Sequence, residues 1–302
     1  MTLRISLLIT LFCALTAQGA VYTAPTTSSD IIGKTFTATT QSRDSSTTIR
    51  NRYEITYNSL LEANSRINFN RLSSGQEIII PAEYILPPYR KGIVVNIPEL
   101  RLYYFTPDGK HIVTFPVGLG RLGWRTPVIS TRIINKKAGP TWYVPDSIRN
   151  YTLAKTGQML PDFIEPGPNN PLGQYALYLE KRGYLIHGTN APDSVGTFAS
   201  SGCIRMSDEG IETLFKLVAV GTPVYIINHN NKFGWSDETL FLEAHHKLDD
   251  LKAKDSPLNI TSPQEALQFA LTKHTAAVNW TEVNRLTSNP TGIPFPIGQI
   301  AD

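Results

Sequence analysis

Cysteine is nearly absent: Cys13 and Cys203 are the only two in 302 residues. The disulfide frameworks that hold small secreted domains together are therefore excluded. Long apolar runs are missing as well. The longest, residues 5–17, falls short of the about 20 residues that cross a membrane as a helix. Gly and Pro stand at 21 each, close to average use, which excludes collagen-like and low-complexity chains. No excess of one charge exists either, since 28 Lys and Arg face 25 Asp and Glu. Without a basic stripe interleaved with aromatics, there is no footprint for a nucleic-acid partner or an anionic membrane surface.

What is present is a chain with 41% hydrophobic, 10% aromatic and 18% charged residues, too apolar for disorder and long enough for about two domains. The run at 5–17 follows one cation, Arg4, and leads into Ala17-Gln18-Gly19, a small-x-small pattern suited to cleavage before Ala20 or one residue later. Residues 1–19 read as a secretory signal peptide that is removed, leaving no transmembrane segment. Cys13 leaves with it, and Cys203 becomes a lone thiol in an oxidising compartment. Such a residue is either a small buried hydrophobe or a reactive nucleophile, and its neighbourhood decides.

Residues 20–35 are rich in Thr and Ser and read as a tether. Over 36–82, a helical stretch ends in Leu60-Leu61-Glu62-Ala63-Asn64. A turn at Gly75 and a β-branched strand stopped by Pro81 follow, making one small α/β unit. Pro87-Pro88 and Tyr89-Arg90-Lys91-Gly92 form a linker. Residues 92–228 then read as mainly β, with strands at 93–97, 100–105, 112–117, 128–134, 175–179, 184–186 and 224–227. Asp108-Gly109 and Lys181-Arg182-Gly183 supply hairpin turns. One helix interrupts them, with Ser207 as cap and Ile211, Leu214, Phe215 and Val218 on one face. The loop at 161–173 has the length of a binding wall or lid. Residues 229–302 read as a helical C-terminal extension, with helices at 238–251 and 262–273. The second opens with the capping pattern Ser262-Pro263-Gln264-Glu265.

The chemistry concentrates in Ile186-His187-Gly188-Thr189-Asn190 and Ala199-Ser200-Ser201-Gly202-Cys203-Ile204-Arg205-Met206. Cysteine-dependent acyl transfer requires a thiolate, and a free thiol is only a few per cent ionised at neutral pH. An imidazole remedies this by taking the proton, holding the thiolate as an ion pair, and later returning a proton to the leaving or attacking group. His187 and Cys203 are sixteen positions apart, one ending a strand and the other in the turn before a helix. Gly202 lets the backbone approach substrate closely, so the amides of the Gly202-Cys203 turn suit an oxyanion. Arg205 offers a planar cation for a carboxylate, either the substrate's or a structural partner's. Ser200 and Ser201 either bond the imidazole or cap the turn. His111, His229, His245, His246 and His274 lack Cys, Asp or Glu at ligand spacing and read as surface or packing residues, so no metal and no cofactor are expected.

These two motifs resemble the active-site signature of the YkuD-type L,D-transpeptidase catalytic domain. Lys137-Ala138-Gly139-Pro140-Thr141-Trp142 and Pro166-Gly167-Pro168-Asn169-Asn170-Pro171-Leu172-Gly173 resemble its periplasmic ErfK-like branch. The Leu60–Asn64 stretch with Gly75-Gln76-Glu77-Ile78-Ile79-Ile80-Pro81 resembles the second half of a LysM module, a family that binds the N-acetyl sugars of peptidoglycan. The resemblance implies a β-sandwich or mixed-sheet catalytic domain with one principal helix, a small LysM-like domain and a periplasmic location. It also implies that Cys203 is the nucleophile and His187 the proton donor and acceptor, with the Gly188 carbonyl or Ser200 hydroxyl orienting the imidazole. Gly202, Arg205 and Ser201 are implied as oxyanion or substrate-binding residues.

The implied reaction cleaves the bond between the diamino acid and D-alanine of a peptidoglycan tetrapeptide stem. The acyl group passes to a lysine of an outer-membrane lipoprotein or to another stem. Position 201 is frequently His in the family and is Ser here. Water as acceptor, giving a carboxypeptidase or endopeptidase, and a non-catalytic wall-binding protein are the competing readings.

Overall fold

The computed structural model describes residues 19–248, 251 and 256–301. The expected signal peptide, Cys13 included, lies outside them apart from Gly19. Among the described residues, no helix is long and apolar enough to cross a membrane.

The N-terminal unit is built on two short helices, Ser46–Tyr53 and Tyr57–Ala63. Each starts with a reciprocal hydroxyl cap, Ser45 with Thr48 and Thr56 with Ser59. Strands Phe36–Thr39 and Glu77–Ile80 pair antiparallel beside them, and Ile49, Leu60, Ile78 and Ile80 close a small core. Asn64 fastens helix to strand: its amide donates to the Ile79 carbonyl at 2.8 Å and its carbonyl accepts from the Ile79 N–H at 2.8 Å.

The expected tether is instead docked. Ala20–Thr23 pairs with His111–Pro116, and Ile31–Gly33 pairs with Glu83–Ile85. Asp30 anchors it, accepting from Arg90 at 2.5 Å, Lys273 at 2.6 Å and the Trp235 N–H at 3.0 Å. Val21, Tyr22, Ile31 and Ile32, β-formers set among the Ser and Thr, supply the pairing.

The strands expected over 92–228 form one large mixed sheet. At its centre Pro223–His229 runs parallel to Gly92–Asn96 and antiparallel to Ile129–Ala138. One side continues through Arg101–Phe105 to His111–Pro116. The other continues through Tyr175–Leu179 and Leu185–His187 to the two-residue strand Ile204–Arg205. Helix Asp208–Leu217 lies where expected, and Ile211 and Leu214 enter the core with Ile93, Val95, Ile186 and Ile204. Each such buried aliphatic side chain contributes roughly 1.5–3 kcal/mol. A second helix, Asp146–Thr156, was not expected; it buries no residue, so no apolar face marks it in the sequence.

The C-terminal extension corrects one reading. Where a helix is expected over 238–251, the chain forms strand Thr239–Ala244, paired with Asn231–Ser236 and Phe295–Ile300. Asp237, at φ 50°, turns the hairpin, and Leu240 and Leu242 alternate into the core as a strand requires. The expected second helix is present as Pro263–Leu271, capped by Ser262. Another helix, Trp280–Ser288, is capped by Asn279.

His245 is the other correction, because it is neither a surface nor a simple packing residue. Its Nε2 lies 2.8 Å from Glu243 and its Nδ1 3.1 Å from Glu62 of the N-terminal unit. Lys232 bridges Glu243 and Glu99 at 3.0 and 2.9 Å, and donates to the Ile85 carbonyl at 2.5 Å. Glu99, Glu243 and His245 place ligand atoms within 4.8 Å of one another, a metal-like grouping, but the Lys232 ammonium already serves both carboxylates. Residues of all three regions meet in this buried cluster, which fixes the extension and the N-terminal unit to the central sheet.

Candidate active site

Strand register assembles the site. Leu185–His187 and Ile204–Arg205 are parallel neighbours, with Ile186 opposite Ile204 and His187 opposite Arg205. Ile186, Ile204 and Met206 face the core. Alternation therefore sends His187, Cys203 and Arg205 to the other face. There they line a cavity of about 530 Å³ together with Ser201, Trp124 and Tyr184. All of the sequence-predicted side chains with chemistry reach this cavity, Ser200 included.

The imidazole is held by backbone. His187 Nδ1 lies 2.6 Å from the Gly188 carbonyl, so Nδ1 carries the proton and Nε2 is left as the acceptor. Gly188 donates its N–H to the Tyr175 carbonyl at 3.1 Å, and the following amide, Thr189 N–H, donates to Asp208 at 3.3 Å. A Cβ on Gly188 would meet Asp208 Oδ1 at 2.5 Å, so the helix at Asp208 and the His187 strand are locked together.

Ser200 serves the Cys203 turn and not the imidazole. Its hydroxyl donates to the Cys203 carbonyl at 2.6 Å and accepts the Gly202 N–H at 3.1 Å. The Gly202 amide is therefore occupied by Ser200 and not open to an oxyanion in this structure, contrary to its expected part. Gly202 itself adopts φ 112°, and a Cβ would meet the Tyr184 ring at 3.2 Å. The Gly202 carbonyl accepts from Thr126, whose oxygen in turn receives the Gly120 N–H, both at 2.9 Å. Ser201 accepts from Arg121 at 2.9 Å. Arg121 lies over Trp124 and Tyr151 at 5.3 and 5.0 Å from their ring centres. Arg121, Trp124 and Thr126 carry no motif, and only the folded chain brings them to the turn.

Electrostatics change one expectation. Burial pushes His187 down to about 4, and the Arg205 charge adds to this against the Gly188 hydrogen bond. Burial likewise raises the Cys203 thiol, with the Leu185 N–H and Arg205 pulling the other way. Both shifts favour a neutral thiol and a neutral imidazole over the expected ion pair. Arg205 makes no side-chain hydrogen bond or ion pair among the described residues, and its buried Nε has no partner. Burial lowers its affinity for the proton. The structural-partner reading of Arg205 thus loses its partner.

Two family models match the chain: the L,D-transpeptidase catalytic domain, YkuD, over residues 90–226, and the LysM domain over 38–81. The chain is 38% identical to "Probable L,D-transpeptidase ErfK/SrfK" of Escherichia coli K12 over 81% of its own length and 80% of that protein's. With "Probable L,D-transpeptidase YbiS" of the same strain, identity is 34% over 88% and 86%. With "Probable L,D-transpeptidase YcfS" it is 36% over 81% and 78%. At that identity over four-fifths of both chains, this protein belongs to the L,D-transpeptidase family, with a YkuD catalytic domain preceded by a LysM domain.

Proposed function

We propose that the protein is a cysteine acyltransferase acting on peptidoglycan tetrapeptide stems. The observation that carries this is the shared strand face on which Cys203, His187 and Arg205 meet one cavity, with His187 Nε2 left free by the Gly188 bond. The Cys203 sulfur attacks the carbonyl carbon of the diamino acid while its proton passes to His187 Nε2. The Cys203 amide stabilises the oxyanion. The intermediate collapses, the carbon–nitrogen bond breaks, and Nε2–H protonates the departing D-alanine nitrogen. An acceptor amine then attacks the thioester; His187 removes its proton and returns it to sulfur as the carbon–sulfur bond breaks. The acceptor is a lipoprotein lysine or another stem amine. Export to the periplasm and glycan binding by the LysM domain fit this substrate.

The experiment is to give the mature protein a tetrapeptide stem with an amine acceptor and analyse products by mass spectrometry. Free D-alanine with a new amide adduct is expected. Tripeptide with no adduct would replace the transferase by a hydrolase, and no turnover would leave a wall-binding protein.

Arg205 is assigned to a substrate carboxylate because the chain gives its guanidinium none. A hydrogen-bonded charge pair of this kind contributes about 1.5–3 kcal/mol. Arg205→Gln is expected to raise the donor KM about 10–100-fold, whereas unchanged KM in steady-state kinetics would remove the assignment.

A further inference from the structure

The segment joining the His187 strand to the Cys203 turn is braced by the N-terminal unit. The 3-10 turn Pro192–Ser194 brings Asp193 within 3.4 Å of the Thr47 hydroxyl. Arg50, on the same helix and only 7% exposed, donates from Nη1 to the Val195 carbonyl at 2.9 Å. Gly196 follows with φ 73°, and a Cβ there would meet Thr56 Cα at 3.2 Å and Tyr57 N at 3.3 Å. The backbone of the segment therefore presses directly on the start of the second helix. Beyond it, the Thr197 carbonyl accepts from Leu119 at 3.0 Å, and Phe198–Ser200 pairs with Leu119–Gly120. Ser200 then grips the Cys203 carbonyl.

A module that only tethers the enzyme to glycan needs no buried cation directed at the neighbouring domain. Burying a guanidinium without a hydrogen-bonded carboxylate is unfavourable, and burial pushes Arg50 down, with Asp193 and Tyr57 opposing. Its Nη2 reaches Thr47 at 3.3 Å, and its guanidinium lies 5.6 Å from the Tyr57 ring centre. Its Nε has no partner among the described residues. Helix packing fixes the cation at one end, and among the described residues the Val195 carbonyl is the one atom of the catalytic domain to which it donates.

We propose that Arg50 is a positioning residue for acyl transfer. By holding Val195 it fixes residues 191–197, and through them the placement of Cys203 relative to His187, which makes the LysM domain part of the catalytic apparatus. The proposal rests on Cys203 and His187 carrying the chemistry, as proposed above.

The test uses the full mature chain and a small tetrapeptide donor without glycan, so that glycan binding is not measured. Because a misplacement of about 1 Å costs on the order of 10²-fold, Arg50→Gln is expected to lower kcat about 10–100-fold with donor KM within about twofold. Arg50→Lys, which keeps a donor, recovers most of the loss. Gly196→Ala, which pushes the segment off the helices and leaves Arg50 in place, lowers kcat in the same way.

The pH profile of Cys203 alkylation by iodoacetamide shifts in Arg50→Gln. It does not shift in Ile49→Val, which only loosens the N-terminal core. Wild-type kcat in Arg50→Gln overturns the proposal. If that variant is unfolded at the assay temperature, wild-type kcat in Gly196→Ala does so instead. Turnover surviving in Cys203→Ala would show that the underlying reading has failed, whereas an inactive Cys203→Ala beside a fully active Arg50→Gln removes only the positioning role.

Discussion

His187→Ala is expected to slow acylation of Cys203 by about 10²–10⁴-fold, the span of general acid–base contributions. The expectation follows from the resting protonation states. Burial raises the thiol, so little thiolate exists for attack without a base. The ring nitrogen that His187 keeps open in the cavity it shares with Cys203 is Nε2, because Nδ1 is committed to the Gly188 carbonyl. The same electrostatics set the pH dependence. With His187 lowered to about 4, the base stays neutral above that value. The wild-type acylation rate, followed by intact mass with a carbapenem as probe, is expected to hold from about pH 5 to pH 8 and to fall only below. An enzyme with an ordinary imidazole would lose rate through its usual pKa of about 6.5. A fall centred there, or an unimpaired His187→Ala, contradicts the assignment of the base.

The second large effect is on stability. His245→Gln is expected to destabilise the fold by about 3–5 kcal/mol, the cost of removing one partner from a buried charged set. Three carboxylates, Glu62, Glu99 and Glu243, surround Lys232 and His245. Burial alone would lower the imidazole, but its hydrogen bonds to Glu243 and Glu62 outweigh this and raise it to about 10. Burial pushes the Glu99 carboxyl up, and Lys232 and His245 bring it below its ordinary value. A folded-state His pKa above the unfolded value of about 6.5 gives stability that is fully present below pH 6.5. That stability is lost as pH rises through about 10. Urea midpoints for the wild type should therefore decline between those limits, while the Gln variant should be lower at pH 6 and flatter with pH. Equal midpoints for the two proteins at pH 6 would mean that the cluster does not hold the three regions together.

Much of this was legible from local pattern. Runs of β-branched and aromatic residues mark the strands from Gly92–Asn96 to Pro223–His229, and the Ser207 cap with Ile211 and Leu214 marks the helix behind the site. His187 and Cys203 are conspicuous because a lone thiol beside Gly and downstream of a His-Gly turn has few other uses. Thr239–Ala244 was not legible as a strand, since Leu240, Ala244, Leu248 and Leu251 at i, i+4, i+8 and i+11 also satisfy an amphipathic helix. Only pairing with Phe295–Ile300, far along the chain, decides it. Arg121, Thr126 and Arg50 were hidden for the same reason: each acts on a backbone atom more than seventy positions away, and no spacing rule reaches that far. The charges of Glu62 and Glu99 look like solvated surface until three regions close over them.

The most direct test is to mix the mature protein with tetrapeptide donor in the absence of acceptor, quench in acid and map the modified peptide by mass spectrometry. A tripeptide acyl group on Cys203, formed with one equivalent of D-alanine, is the predicted result. Release of D-alanine at the wild-type rate from Cys203→Ala, or an acyl group on any other residue, would contradict the account.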